Sequence, residues 1–239
     1  MDARTLLAPL TAAPDEAALL FDVDGVLAPI VARPELSQVP TETRAELARL
    51  AGRYRLVGCV SGRAGEEARR LVGVDGIEVV GNHGLELDPR AEELAGEIAR
   101  FRAGIDWPVE DKRLSLSLHY REAADERAAL VALERVAERA RAAGLVPRWG
   151  RKVLEIRPPL EADKGLAVRT LVTRSGARRA LYAGDDTTDL DAFRGLDAAG
   201  LETAVKVAVA SDEGPAELRA AADLVVESPR ELTALLRLL

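Results

Sequence analysis

The sequence predicts an α/β fold in which a doubly wound parallel sheet carries an inserted α+β unit. Short, continuously apolar runs end abruptly at polar residues or glycine, and segments with helical spacing lie between them. Such runs are typical of strands buried on both faces, and their alternation with helices is typical of doubly wound folds. In the middle of the chain apolar and polar residues alternate strictly instead, which predicts antiparallel strands.

The predicted parallel sheet is made of six apolar runs. They are Ala17–Phe21, Leu56–Val60, Ile77–Val80, Leu181–Ala183, Val205–Val209 and Leu224–Val226. The helices predicted with them are Thr41–Ala51, Ala64–Val72, Gly165–Thr173, Asp189–Leu196 and Pro229–Leu239. The last follows Ser228, with proline at the first helical position and Glu231 at the spacing of a capping box. Ligands bind beyond the carboxyl ends of the strands in such folds. The residues at those ends are Asp22, Ser61, Asn82 and Asp185.

The middle of the chain predicts a separate α+β unit. Arg113–Tyr120 alternates as a half-exposed antiparallel strand, and an amphipathic helix over Glu122–Ala143 ends at Gly144. Two further strands follow, Leu145–Trp149 and Lys152–Arg157, the second with Leu154 and Ile156 inward and Val153, Glu155 and Arg157 outward. We therefore expect a core of residues 1–87 and 161–239, with residues 88–160 inserted as a cap domain.

The composition argues against several classes of function. A net charge of −7 and a pI near 5.1 oppose broad binding to nucleic acids or anionic membranes. The single cysteine, Cys59, excludes an internal disulfide and is consistent with a reducing compartment. No apolar run reaches the roughly 18 residues that span a bilayer, and the start of the chain does not resemble a secretory signal. We expect a soluble, cytoplasmic protein.

The first candidate motif, Asp22-Val23-Asp24-Gly25, directly follows the first predicted strand. Two carboxylates that are two positions apart at the end of a strand point to the same side of that strand. They can share a divalent cation, or divide into a nucleophile and a general acid/base. An ordinary turn has the same composition, since Asp and Gly are common loop residues.

Two further segments open predicted helices. In Ser61-Gly62-Arg63 a hydroxyl and backbone N–H groups can form an anion cradle. Lys164, after Asp163, can neutralise phosphate charge and offset neighbouring carboxylates. The structural alternatives are that Ser61 and Asp163 are only N-caps and that Lys164 is solvated.

The most specific signal is Gly184-Asp185-Asp186-Thr187-Thr188-Asp189. Three carboxylates within five residues repel one another and raise each other's pKa, so they are costly to hold together without a cation. Asp186 or Thr188 can cap the next helix, but capping does not require three carboxylates.

The order of these four segments, their positions at strand ends and the α/β setting resemble the haloacid dehalogenase superfamily of phosphotransferases. The resemblance covers the whole predicted core. It implies that Asp22 attacks phosphorus and becomes an aspartyl-phosphate, and that Asp24 acts as general acid and then as general base. It also implies a Mg²⁺ ion held by Asp22, the backbone carbonyl of Asp24, and Asp185. This hard, all-oxygen set suits Mg²⁺ better than zinc.

The same resemblance implies the remaining roles in the core. Asp186 and Asp189 would be supporting carboxylates, and Ser61 and Lys164 would bind the phosphoryl oxygens. The candidate substrate-binding residues of the core are Gly62, Arg63, Asn82 and His83.

A finer resemblance, to trehalose-phosphate phosphatases, runs in order along nearly the whole chain. It is carried by Leu27-Ala28-Pro29-Ile30, Gly81-Asn82-His83-Gly84-Leu85-Glu86, Glu110-Asp111-Lys112, Leu118-His119-Tyr120-Arg121, Glu155-Ile156-Arg157-Pro158, Gly184-Asp185-Asp186, Thr188-Asp189 and Asp191-Ala192-Phe193. In that family the residues matching Glu110, Lys112 and Glu155 recognise sugar hydroxyls, and Arg157 completes the candidate substrate-binding set. The resemblance implies hydrolysis of trehalose 6-phosphate and a functional link to a trehalose-phosphate synthase.

Each residue of the inserted unit also has a structural explanation. Glu155 could be solvated on the exposed face of its strand, and Glu110 and Lys112 could be an ordinary loop pair. Strict alternation would place Lys112 on the apolar face, so it must precede the strand or follow a kink to reach a ligand. His119 is better explained by a cross-strand hydrogen bond than by metal binding.

Three other functions stay open on the sequence alone. One is a phosphatase for another sugar phosphate, such as sucrose phosphate or a glucosyl- or mannosyl-glycerate phosphate. Another is a catalytically silent domain that only binds a sugar phosphate or regulates a synthase, although Asp22, Asp24, Lys164 and Asp185 are all present. The third is a phosphomutase, which would return the phosphate of the phosphoaspartate to its substrate.

Overall fold

The structure is a computed structural model that describes residues 2–31, 33, 36–150, 152–210 and 214–239. The chain forms two compact units. One contains the described residues of 1–84 and 162–239, and the other contains the described residues of 85–161. Within the described ranges, no helix is both long and apolar enough to cross a membrane.

A parallel sheet forms the centre of the first unit. Its strands are β1 (Ala17–Phe21), β2 (Leu56–Val60), β3 (Glu78–Val80), β8 (Arg179–Gly184), β9 (Thr203–Val209) and β10 (Leu224–Val226). They lie in the order β10-β9-β8-β1-β2-β3, so β1 lies between β8 and β2. All five residues of β1 are buried, as its continuous apolar run predicts. The predicted doubly wound parallel sheet is confirmed.

The helices of this unit are α1 (Ala3–Ala12), α2 (Thr41–Ala51), α3 (Gly65–Val72), α6 (Lys164–Ser175), α7 (Asp189–Asp197), α8 (Ala216–Ala221) and α9 (Pro229–Leu236). Ser228 caps α9 by accepting from Glu231 N at 3.2 Å, which confirms the predicted start. The helix ends three residues earlier than expected. The prediction omitted α1, whose interior Pro9 conflicts with a helical reading, and the short α8.

The second unit pairs a small antiparallel sheet with two helices. Its strands are β4 (Glu110–Asp111), β5 (Leu116–His119), β6 (Val146–Gly150) and β7 (Val153–Arg157), in the order β4-β5-β7-β6. Its helices are α4 (Pro89–Arg102) and α5 (Glu126–Ala142). Side chains including Ile98, Leu116, Leu133, Leu154 and Ile156 form its own apolar core. The predicted inserted α+β fold is confirmed, although α4 and β4 were not predicted.

Several local expectations for this unit were wrong. Helix α5 begins at Glu126 and not at Glu122, because Asp125 caps it by accepting from Ala128 N at 3.0 Å. Strand β5 is shorter than the predicted strand because Arg113 lies in a turn, with φ of 66° and its N–H bonded to Asp111 Oδ1. Lys112 therefore precedes β5 on the far side of a kink.

The polar faces of β5 and β7 are also more buried than alternation suggested. Ser115 and Ser117 are buried, although the predicted strand was expected to be half-exposed, with these serines on its exposed face. Arg157, expected to point outward into solvent, is only 3% exposed, and the Glu155 side chain is 13% exposed. The alternation therefore identified two faces correctly but did not show that both are covered.

Candidate active site

Asp22 is the first residue after β1 and is buried beside Lys164. Its N–H donates to the carbonyl of Ala183 on the neighbouring strand at 2.9 Å, which continues the ladder by one residue. Lys164 Nζ lies 2.8 Å from Asp22 Oδ2. Lys164 begins α6, and Asp163 caps that helix by accepting from Leu166 N at 2.7 Å. This cap determines where α6 begins. Lys164, the first residue of the helix, therefore places its ammonium group beside Asp22 at the end of β1.

Asp185 packs against the turn that follows Asp22. Gly25 has φ of 79°, and a Cβ at this position would overlap the Asp185 carboxylate. A glycine is needed here for both reasons, since other residues rarely adopt this φ and none could avoid the overlap. The glycine therefore lets the turn after β1 and the carboxylate after β8 lie close together at the site.

Asp189 lies at the centre of a buried hydrogen-bond network. Its Oδ1 accepts from Lys164 Nζ at 2.8 Å and from the Tyr182 hydroxyl at 2.7 Å. Its Oδ2 accepts from the backbone N–H groups of Asp185 at 2.9 Å and Asp186 at 3.0 Å. Four donors occupy the lone pairs of this carboxylate, so Asp189 orients the lysine and the Asp185 loop.

The cluster fits a divalent cation. Carboxylate oxygens of Asp22, Asp185 and Asp189 lie within 4.8 Å of one another. Burial raises the pKa of Asp185 to about 9, and the carboxylates of Asp22, Asp189 and Asp186 add to this shift. Burial likewise raises the pKa of Asp22 well above its ordinary value, although Lys164 opposes the shift. Because Asp189 is already saturated by donors, Asp22 and Asp185 are the carboxylates with capacity for a metal ion.

Asp186 has a different environment from its two neighbours in the motif. Its Oδ1 accepts from both the N–H and the hydroxyl of Thr188, at 2.8 and 2.6 Å, in the turn that precedes α7. It lies 3.9 Å from Lys164 Nζ. Burial opposes ionisation, but Lys164 and the Thr188 hydrogen bonds outweigh it and lower the pKa of Asp186. Thr188 occupies the N-cap position of α7 but makes no side-chain cap hydrogen bond, so the expected side-chain cap by Asp186 or Thr188 is not formed.

Two backbone segments dock on each other beyond the ends of β2 and β3. Asn82 N donates to the Arg63 carbonyl at 2.7 Å, and His83 N donates to the Ser61 carbonyl at 2.9 Å. Asn82 and His83 both have positive φ, of 51° and 52°. A Cβ on Gly62 would lie 2.6 Å from the His83 ring, so the glycine allows this contact.

Ser61 does not cap a helix. Its hydroxyl accepts from Arg63 N at 3.2 Å within the turn, whereas Ala64 precedes the first residue of α3. The structural alternative proposed for Ser61 was therefore wrong. Ser61 is 1% exposed at the end of β2, which neighbours β1.

Asp24 is paired with Arg63. The guanidinium donates from Nε to Asp24 Oδ2 at 2.6 Å and from Nη2 to Oδ1 at 2.8 Å. Ser37 Oγ donates to the same Oδ1 at 3.2 Å. The hydrogen bond with Asp24 raises the pKa of Arg63, which stays charged. Arg63, a candidate substrate-binding residue of the core, thus contacts the candidate general acid/base Asp24 directly.

In the inserted unit, Glu110 and His119 form a cross-strand pair. His119 Nε2 lies 2.7 Å from Glu110 Oε2, as the structural explanation of His119 predicted. Lys112 Nζ lies 3.9 Å from Glu110 Oε1. The two candidate sugar-binding residues Glu110 and Lys112 therefore lie together at the end of β4.

Glu155 lies in a second polar group of the same unit. Its Oε1 accepts from Ser115 Oγ at 3.4 Å, and its Oε2 lies 3.9 Å from Arg157 Nε. Glu155 is thus contacted by the residue that precedes β5 and by Arg157 of its own strand, and it is not freely solvated.

Tyr182 and Ser37 were missed in the sequence analysis. Tyr182 is fully buried in β8, two residues before Gly184, and was counted only as part of an apolar run. A tyrosine inside a buried strand needs a partner for its hydroxyl, and this signal was available. Ser37 lies in an irregular segment with no pattern that points to Asp24.

Comparisons with known proteins identify the family of this chain. The trehalose-phosphatase family model matches residues 20–97 and 108–229. The chain belongs to the trehalose-phosphatase family.

A trehalose-phosphate phosphatase of Mycobacterium avium is 36% identical over 202 residues, which cover 74% of this chain and 50% of that protein. This chain therefore spans about half the length of that curated relative of the trehalose-phosphatase family. A crystal structure of a trehalose-6-phosphate phosphatase related protein has a TM-score of 0.74 and 25% identity, and the match covers 92% of this chain and 95% of the other.

The haloacid dehalogenase fold of this trehalose-phosphatase family member is confirmed by a more distant structure. A haloacid dehalogenase-like hydrolase from Bacteroides thetaiotaomicron has a TM-score of 0.61 at 14% identity, with 94% of this chain and 100% of the other covered.

Proposed function

We propose that this chain is a Mg²⁺-dependent phosphatase that hydrolyses trehalose 6-phosphate to trehalose and phosphate. The observation that carries the proposal is the placement of Asp22. Its carboxylate lies 2.8 Å from a buried ammonium group and within reach of a second buried carboxylate, Asp185, while Asp24 stands two residues further on.

In the first step Asp22 acts as the nucleophile. A carboxylate oxygen of Asp22 forms a bond to phosphorus while the bond from phosphorus to the sugar oxygen breaks. Asp24 gives a proton to the departing oxygen. Lys164 Nζ and the Ser61 hydroxyl stabilise the charge on the phosphoryl oxygens, and Asp189 holds Lys164 in place.

In the second step water hydrolyses the aspartyl-phosphate. Asp24 takes a proton from the water while the water oxygen forms a bond to phosphorus. The bond between phosphorus and the Asp22 oxygen breaks, which releases inorganic phosphate. Asp22, the Asp24 carbonyl and Asp185 would hold Mg²⁺. When bound, the ion neutralises the carboxylates and polarises the phosphoryl group.

We propose that the inserted unit recognises the sugar through Glu110, Lys112, Glu155 and Arg157. Carboxylates can accept two hydroxyl donors at once, which suits a polyhydroxylated ligand. His119 and Ser115 orient the two glutamates through the contacts described above. A synthase that makes trehalose 6-phosphate would be the functional partner.

The test is phosphate release from trehalose 6-phosphate, sucrose 6-phosphate and glucose 6-phosphate, with Mg²⁺ and with an added chelator. We expect a strong preference for trehalose 6-phosphate that the chelator abolishes. Metal-dependent activity on another sugar phosphate would support the proposed mechanism but contradict trehalose 6-phosphate as the substrate. Failure to release phosphate from any of them would contradict the proposal and favour a silent binding domain.

A further inference from the structure

The bond between Arg63 and Asp24 is the most specific polar contact in the core that the chemistry above does not use. Both carboxylate oxygens accept from the same guanidinium, in the bidentate geometry that fixes orientation as well as distance. The third guanidinium nitrogen, Nη1, contacts Glu67 in the first turn of α3. The Arg63 side chain is only 11% exposed. The guanidinium is therefore fixed on two sides before any substrate arrives.

These contacts distinguish the two oxygens of Asp24. Among the contacts of the described residues, Oδ1 accepts from Arg63 Nη2 and from Ser37 Oγ, whereas Oδ2 accepts only from Arg63 Nε. Each carboxylate oxygen has two lone pairs, so Oδ2 retains one. The Asp24 side chain is 38% exposed, which leaves it accessible to substrate or water.

We infer that Arg63 is a positioning residue that orients Asp24 for proton transfer, with Oδ2 as the oxygen that exchanges the proton. In the first step the Oδ2–H bond breaks as its proton passes to the sugar oxygen that leaves phosphorus. In the second step the proton of the attacking water passes to Oδ2. The hydrogen bond from Nε is kept throughout, because it uses the other lone pair. This inference rests on the proposed function, which gives Asp24 its role.

The inference differs from a phosphate-binding role for Arg63 in a measurable way. A proton donor matters most for a poor leaving group such as a sugar alkoxide, and matters little for p-nitrophenolate. Loss of an arginine that binds the phosphoryl group would slow both reactions alike, because both substrates carry the same phosphate. The ratio of the two rates therefore separates orientation of Asp24 from binding of phosphate.

The experiment compares Arg63→Lys and Arg63→Ala with the unmodified protein on trehalose 6-phosphate and p-nitrophenyl phosphate. We expect kcat/KM for the sugar phosphate to fall by about 10- to 100-fold, and that for the aryl ester by less than about 3-fold. We also expect a burst of about one p-nitrophenolate per enzyme, because a misplaced Asp24 activates water poorly. Inhibition by vanadate should stay within about 2-fold of the unmodified protein.

Two further variants control the comparison. Arg63→Lys combined with Asp24→Asn should lose no more activity than Asp24→Asn alone, because residues that act as a unit are not additive. Arg69→Lys changes an arginine within α3, whose Nη2 contacts the Val79 carbonyl, and should leave both rates unchanged. Arg63→Lys retains the charge, so the test stands even where Arg63→Ala does not fold.

Equal losses on both substrates, with weaker vanadate inhibition, would overturn the inference and assign Arg63 to phosphate binding. Unchanged kinetics in both Arg63 variants would also overturn it. The proposed function is tested separately, by measuring which sugar phosphates the unmodified protein hydrolyses. The rate ratio can be measured with any alkyl phosphate that it hydrolyses, and a protein that hydrolyses no phosphate ester overturns both.

Discussion

The Tyr182 hydroxyl and Lys164 Nζ donate to the same oxygen of Asp189, Oδ1, at 2.7 and 2.8 Å. Each donor competes for the electron density of that oxygen. The tyrosine therefore weakens the hold of Asp189 on the ammonium group, which also lies 2.8 Å from Asp22 Oδ2. A tyrosine buried in β8 thus influences how Lys164 is shared between two carboxylates.

Replacing Tyr182 with phenylalanine tests this sharing. We expect the free energy of unfolding to fall by about 1.5–3 kcal/mol, since a buried hydrogen bond to a charged group is lost. We expect kcat to fall by about 10-fold, as for other residues that orient a site through a second residue. Chemical denaturation and steady-state kinetics give both values.

The matched control is Tyr54→Phe, which removes a buried hydroxyl that donates to the Leu239 carbonyl at 3.0 Å. It should lower stability without changing kcat. Equal effects of the two substitutions on kcat would show that Tyr182 acts only through stability.

Replacing Asp22 with asparagine should abolish turnover while the fold is kept. The amide has the shape of the carboxylate but is a poor nucleophile, and we expect kcat to fall by more than about 10⁴-fold. Circular dichroism checks the fold and phosphate release checks the rate. A variant with near-normal turnover would remove Asp22 as the nucleophile.

Gly25→Ala should weaken metal binding, because a Cβ at Gly25 overlaps the Asp185 carboxylate. We expect the Mg²⁺ concentration that gives half of the maximal thermal stabilisation to rise about 10-fold. Gly200→Ala is the control, since Gly200 has φ of 69° with no atom within 4 Å of an added Cβ. It should lose about 1–2 kcal/mol of stability with no change in Mg²⁺ dependence. Similar Mg²⁺ titrations for both variants would contradict the role of this contact.

Glu155→Ala should damage hydrolysis of trehalose 6-phosphate far more than that of p-nitrophenyl phosphate. The carboxylate is held by Ser115 and would accept from sugar hydroxyls that the aryl ester lacks. We expect kcat/KM to fall by about 10- to 100-fold on the sugar phosphate alone. Glu138→Ala, at an exposed position of α5 in the same unit, should change neither rate. Equal losses of kcat/KM on both substrates would contradict a role of Glu155 in sugar recognition.

The sequence predicted the parallel sheet well because continuous apolar runs report burial directly. The strands Ala17–Phe21, Leu56–Val60 and Leu224–Val226 have the predicted bounds. The motif residues at strand ends also lie together, because parallel strands that are neighbours in a sheet end at the same edge.

Pairings between distant side chains were not accessible in the same way. Arg63 and Asp24 are 39 residues apart, and each fits an ordinary loop or helix start by itself. The Tyr182 hydroxyl lies within an apolar run that gave no sign of its partner, and the alternation of β7 did not show that Arg157 is buried. Periodicity shows which face a residue occupies, but the partner on that face depends on tertiary packing.

The register of the sheet places Ala17 of β1 beside Arg179 of β8, although the two residues are far apart along the chain. During synthesis Asp22 and Asp24 therefore emerge long before Lys164 and Asp185, and an unfinished chain holds the nucleophile without its cationic neighbour. Pairing of β1 with β8 must close a long loop, whose entropic cost grows with the logarithm of loop length. The inserted unit has an apolar core of its own, so its earlier folding would shorten this loop and speed assembly of the site.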